Sequence, residues 1–154
     1  MPPLPPPSKD ARAIDNQDWA LYRSIFVPGA RVDYTSSWST ALPVEQMTEH
    51  LQTVAGMRPW VACHAISNIE VDFAGPSKAK VRALVYYTVT LRGLSVAVRP
   101  FFTAFSVYHH DVVKGDDGAW RSAGLYETSL YDTLLLTAAM GAMLMYVAAR
   151  RCVA

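Results

Sequence analysis

Asp15-Asn-Gln-Asp18-Trp19-Ala-Leu-Tyr22-Arg-Ser-Ile25-Phe26-Val-Pro28-Gly29-Ala-Arg31-Val32-Asp33-Tyr34 carries a helix signal, a turn signal and a strand signal in one unbroken run. Asp18 suits an N-cap, because its carboxylate can accept from the free N–H groups of a first helical turn. Trp19, Tyr22, Ile25 and Phe26 then recur at helical spacing and predict one apolar face. Pro28-Gly29 is expected to stop that helix, and Val32 to Tyr34 to restart as extended chain. Packed together, the three parts would set Asp15 and Tyr34 at the two ends of one rigid unit.

Working outward, residues 1–10 begin Met-Pro-Pro-Leu-Pro-Pro-Pro-Ser and read as a polyproline tail without the apolar core of a secretion signal. Lys9 to Ile14 predicts a short helix leading into the opening stretch. On the other side, Thr35 to Thr40 is a polar loop carrying Trp38. Ser39 or Thr40 would cap the next helix, with Pro43 in its first turn. Val44, Met47, Leu51 and Val54 give that helix one inward stripe, Gly56 ends it, and Arg58 to His64 is a connection. The period then changes to alternation. Strands are expected at Ser67–Phe73, Lys80–Leu91, Phe101–Val113 and Ala119–Tyr131, with turns at Gly75-Pro76-Ser77 and Lys114-Gly-Asp-Asp-Gly118. Helices followed by long strands predict an α+β domain over residues 11–131. It should be a curved antiparallel sheet with helices packed over its concave face, enclosing a pocket. Residues 132–154 form a third segment. Thr133 to Ala149 has no charge and precedes Arg150-Arg151. It is expected to be a helix packed on the domain, the pocket mouth or a second copy, with a tail anchor as the alternative.

Composition excludes more than it assigns. A length of 154 residues fits one domain, and a net charge of +1 gives no electrostatic case for nucleic acid. Cys63 and Cys152 have neither zinc-site nor CxxC spacing, which fits two free thiols in a cytoplasmic protein. No GxSxG, P-loop or GxGxxG occurs, against hydrolase, NTPase and dinucleotide-binding readings.

The candidate chemistry lies in a few side chains. On the Phe101 strand, Ser106, Tyr108 and His110 share a face by the period of two, with His109 on the other. That alternation also argues against His109-His110 as a metal pair. His64 needs a carboxylate to fix its tautomer if it is to work as an acid–base group, and Asp15 is the candidate. Glu127 is a second carboxylate, expected at the surface or rim.

These residues resemble those of fungal scytalone dehydratases. The resemblance rests on Asp15-x-x-Asp18-Trp19, Pro28, Arg31-Val-Asp33-Tyr34, Pro43 and Glu45 opening a helix, and Cys63-His64. Ser106-x-x-x-His110 and Asp117-Gly-x-Trp-Arg-x-Ala-Gly-Leu125 complete it. It runs from about Ala13 to Tyr131 and implies an NTF2-like, SnoaL-like cone fold and a hydro-lyase of secondary metabolism. Such an enzyme removes water from a hydroxylated polyketide-derived ring ketone, with no metal or organic cofactor. The resemblance implies that Tyr34 polarises the carbonyl through a water, His64 moves the proton, Asp15 orients an imidazole and Ser106 holds the histidine or the substrate. Tyr108, Trp38, Trp19 and Glu127 are expected substrate-binding residues. Departures from the family are Ile14 for a tyrosine, Tyr108 for an asparagine, and Thr90 or a neighbour for a second histidine. They leave a SnoaL-like isomerase or cyclase, with Tyr108 or Glu127 in the site, and a non-catalytic binding module as alternatives. The expected partner is a small polyketide-type molecule, with no nucleic acid, in a homo-oligomer. The uncharged C-terminal segment leaves membrane association open.

Overall fold

A computed structural model describes residues 7–37, 40–57, 60–91, 102–137 and 143–146. Among these residues, three helices, α1 (Pro7–Asp15), α2 (Trp19–Ser24) and α3 (Val44–Met57), accompany seven strands. The strands are β1 (Phe26–Asp33), β2 (Ala41–Pro43), β3 (Trp60–Phe73), β4 (Lys78–Leu91), β5 (Phe102–Lys114), β6 (Trp120–Thr137) and β7 (Met143–Tyr146). One sheet holds them in the order β2-β1-β6-β5-β4-β3, with β7 also on β6. The sheet is curved, with the α+β character expected, but it is mixed. β1 runs parallel to β6, while every other pair is antiparallel. A chain that enters the sheet first and pairs with a late strand has no hairpin to force antiparallel order.

Alternation builds the inner face. Val81, Ala83, Val85, Tyr87 and Val89 of β4 are all buried, beside Ala104, Ser106, Tyr108, His110 and Val112 of β5. Tyr22 of α2 and Val44 and Met47 of α3 close over this face and join the same apolar cluster. At about 25 cal/mol per Å² of apolar surface removed from water, such side chains are the main source of cohesion.

The opening unit folds differently in detail. Asp18 Oδ1 accepts from the Leu21 N–H at 2.9 Å, as its capping role requires. Helix α2 nevertheless ends at Ser24, and Phe26 already pairs with Ser122 of β6. Pro28-Gly29 therefore interrupts a strand and does not end a helix. Register shifts between Phe26 and Arg31, Gly29 takes φ 72°, and its N–H donates to Glu45 Oε1 at 2.9 Å. Proline has no N–H for the ladder, so the chain bulges there and is tied to the start of α3.

Other boundaries move too. Helix α1 starts at Pro7, two residues before the helix expected from Lys9, so Pro7 and Ser8 of the tail join its first turn, where proline costs nothing. β2 intervenes where Thr40 was expected to cap, so Pro43 precedes α3. Residues 60–64, expected as a connection, belong to β3, which puts His64 inside the sheet opposite Tyr87. The helix expected over 133–149 is absent from its described parts. Residues 133–137 continue β6, Thr133 and Leu134 against β5 and 134–137 against β7, which spans 143–146. Backbone pairing to Phe102 and Thr103 and to β7 captures the segment as strand; its remaining residues lie outside those described. Among the described residues, no helix is long and apolar enough to cross a membrane.

Met47→Ala should cost roughly 2–5 kcal/mol in urea unfolding, because it opens a cavity between α3 and the sheet. Glu49→Ala, on the exposed side of the same helix, should stay within about 0.5 kcal/mol.

Candidate active site

Helix α1 ends one turn before α2 begins. Asn16 N–H still bonds to Arg12 O at 3.1 Å, and Gln17 then takes φ 55° and turns the chain. That turn leaves Asp15 at the helix end, against β3. Its Oδ1 lies 2.5 Å from His64 Nδ1 and its Oδ2 accepts the His64 backbone N–H at 2.9 Å. A carboxylate only accepts, so Nδ1 carries the hydrogen and Nε2 is the nitrogen free for chemistry. The imidazole also stacks on Tyr87, with ring centroids 5.2 Å apart. Carboxylate, backbone and aromatic ring together fix its plane.

A cluster of buried phenols lies beneath the helices. Tyr34 Oη and Tyr22 Oη are 3.3 Å apart, and the Tyr34 and Tyr108 rings are 6.0 Å apart. Burial holds all three phenols well above their ordinary range, and the neighbouring Asp10 carboxyl adds to that. They are hydrogen-bond donors at any working pH.

His64, Asp15, Tyr34 and Tyr108 line one cavity, whose empty volume out to its open mouth is ≈ 1040 Å³. A mostly apolar lining with a few convergent polar groups is the character of a small-molecule site. Its apolar wall comes from Met47, Leu51 and Val54 of α3 with Val61 and Val89 of the sheet. Trp19 lines it too, and Ile14 takes the place beside Asp15. On the other side of the His64–Asp15 pair, a shallow crevice opens between α1 and β3, lined by Arg12 and Asn16.

Ser106 and Glu127 are not among the lining residues. Ser106 is fully buried. Glu127, expected at the surface or rim, is buried as well and accepts from the Ser37 hydroxyl. It pairs across strands with Tyr108, on the inner face. Burial raises the Glu127 carboxyl, against the Ser106 and Ser37 hydroxyls and His64, which favour its charge. Trp38 lies outside the described residues, and so does the Thr90 side chain. The sequence reading missed His50, Gln17 and the cavity-lining role of Tyr87. His50 was findable, since it stands three residues past Met47 on the inward stripe of α3. Among the described residues, no three His, Cys, Asp or Glu groups are placed to hold a metal ion.

A family model described as a SnoaL-like domain matches residues 8–125. The chain belongs to the SnoaL-like domain family. Its fold is shared by a protein provisionally named scytalone dehydratase from Novosphingobium aromaticivorans, at 20% identity and TM-score 0.67, over 92% of this chain and 85% of that one. Hexachlorocyclohexane dehydrochlorinase LinA-type3 from Novosphingobium barchaimii matches at 19% identity and TM-score 0.68, over 85% and 86%. ActVI-ORFA from Streptomyces coelicolor matches at 16% and 0.65, over 79% and 90%. No curated protein matches this SnoaL-like chain. At such identities these likenesses concern the fold.

The Asp15–His64 geometry has a direct spectroscopic consequence. In the wild type, ring ¹⁵N shifts should report a single His64 tautomer with hydrogen on Nδ1. Asp15→Ala should give a mixture of tautomers; an unchanged single tautomer would mean that Asp15 does not set it.

Proposed function

We propose that this SnoaL-like protein is a cofactor-independent hydro-lyase that removes water from a hydroxylated, polyketide-derived ring ketone. One observation carries the reading: a carboxylate-held imidazole and a buried phenol, His64 and Tyr34, line the same largely apolar cavity. Elimination next to a carbonyl needs a base for the α-proton, a donor for the developing enolate oxygen and an acid for the leaving hydroxyl. His64 Nε2 takes the α-proton, and the electron pair moves onto the carbonyl oxygen, which Tyr34 stabilises directly or through a water. When the enolate collapses, the carbon–hydroxyl bond breaks, the proton on Nε2 goes to the leaving oxygen, and water departs. The imidazole ends neutral, as it began. Asp15 supports the charged intermediate and keeps the ring in place. Met47, Leu51 and Val54 offer an aromatic or alicyclic ring the apolar contact it needs. The dehydrochlorinase that shares the fold is, by its name, also an elimination enzyme.

A second reading is isomerisation or cyclisation. The position of Tyr108 favours it, because it adds a second phenol to the cavity wall. Two donors suit a delocalised enolate whose proton returns to carbon. Ser106 has no direct place in either reaction, since it does not line the cavity.

Incubation with β-hydroxy tetralone-type ketones should show product lighter by one water. Product of unchanged mass and altered retention would select isomerisation. His64→Ala should lose about 10²- to 10⁴-fold in rate, and Tyr34→Phe about 10²-fold, both at unchanged fold by circular dichroism. Full turnover by His64→Ala would move the chemistry elsewhere.

A further inference from the structure

Behind the tyrosines lies a second acid–base pair that the proposed reaction does not use. Asp10 of α1 has no exposed surface, and neither carboxyl oxygen has a hydrogen-bond partner among the described residues. His110 of β5 is buried opposite it, with Nε2 3.7 Å from Asp10 Oδ2. The other ring nitrogen fixes the tautomer. Ser122 Oγ donates its one hydrogen to the Gly124 carbonyl at 2.8 Å, so toward His110 Nδ1, at 3.1 Å, it can only accept. Nδ1 therefore carries a hydrogen, and in a neutral ring Nε2 is a bare lone pair facing a carboxyl group.

A lone pair against a carboxylate is repulsive in a dry interior, and an imidazolium against a carboxylic acid leaves a buried charge uncompensated. One proton between the two groups removes both conflicts. Burial favours carboxylic acid beside neutral imidazole. It pushes Asp10 up to about 7, and with the neighbouring His109 it pulls His110 down to about 4.

We propose that Asp10 and His110 hold a single proton as a pair, carried by the Asp10 carboxyl beside a neutral imidazole, and so keep negative charge from forming behind the Tyr22–Tyr34 hydroxyl pair. Asp10 is thereby a positioning residue for the site. That last role rests on the part given to Tyr34 above, whereas the shared proton does not. The groups that feel Asp10 are Tyr22 from α2, Tyr34 from β1 and Tyr108 from β5. From β6, Glu127 acts on Tyr108, and on β5 His109 acts on His110. On β3, His64 is engaged by Asp15, and Arg12 of α1 is exposed.

The pair has an unusual linkage signature. Between about pH 4 and 6.5 the unfolded chain holds Asp10 ionised and His110 protonated, which is one proton. The folded pair also holds one, so its net contribution to stability is flat with pH. Each single substitution breaks that balance in an opposite sense. Asp10→Asn leaves a His110 that is neutral when folded and protonated when unfolded, so stability rises with pH across this window. His110→Gln leaves an Asp10 that is protonated when folded and ionised when unfolded, so stability falls as pH rises from about 4 to about 7.

Urea unfolding of the full chain at several pH values in that window tests the sharing. Relative to wild type, the unfolding constant of Asp10→Asn should decrease by up to tenfold per pH unit, and that of His110→Gln should increase by as much. Flat differences, or slopes of one sign, would overturn the shared proton. Tyrosine ¹³Cζ shifts test its effect on the site. The Tyr22 and Tyr34 resonances should move together between about pH 6 and 8 in wild type and stay still in Asp10→Asn. Stationary wild-type resonances would overturn the effect on the hydroxyl pair. Neither measurement depends on turnover, so a failure of the hydro-lyase reading at His64 would leave both outcomes standing.

Discussion

A single carboxylate fastens the end of α1 to the middle of β3. Asp15 grips the His64 ring through one oxygen and the His64 backbone through the other, at 2.5 and 2.9 Å. Charge-assisted bonds of this kind are about twice as strong as neutral ones, and two of them fix direction as well as distance. The rest of the cavity depends on that seam. Helix α1 also carries Ile14 into the cavity wall and Asp10 into the core, and α2 follows it after a one-turn connection. Free rotation of the ring would uncouple the helices from the face that holds the reacting group.

The core beneath is costly to build. Asp10, Ser106, His110, Ser122 and Glu127 are all buried on or against an otherwise apolar sheet face. Each polar group taken from water costs on the order of 1–3 kcal/mol unless it is paired. A domain optimised for stability alone would fill these places with Val and Leu. Their retention on this face is the pattern expected when function holds polar groups against a stability cost.

Much of this was legible from residues alone. The alternation of Val81 to Val89 and the helical stripe of α3 specified the layers, because apolar periodicity is a direct image of which face is covered. The Asp15–His64 pairing followed from chemical need. Three features stayed hidden for physical reasons. Pro28-Gly29 has the same local meaning in a helix stop and in a strand bulge; only the partner strand, β6, distinguishes them. His64 sits between Cys63 and Ala65, small residues of weak strand preference, so its strand was invisible until Tyr87 paired with it. Glu127 looked solvated because charges usually are, and its burial depends on Ser37, a loop residue far away in sequence.

Ile14 shows how the site has been altered without losing its logic. The resemblance places a tyrosine at that position, beside the carboxylate. Here the wall is aliphatic at Ile14, and the Tyr34 hydroxyl meets that of Tyr22 on α2, at 3.3 Å. Tyr22 is fully buried and does not line the cavity. It can orient the Tyr34 hydroxyl but cannot reach a substrate. A phenol held from behind is a better-directed donor than one held by a water at the cavity wall, because its partner does not compete with the ligand for space. The exchange therefore leaves the donor in place and makes the wall more apolar at Ile14, where a ring substituent of the substrate would lie against it. For the proposed hydro-lyase, this assigns selectivity among ring ketones to Ile14, and the reaction to His64 and Tyr34.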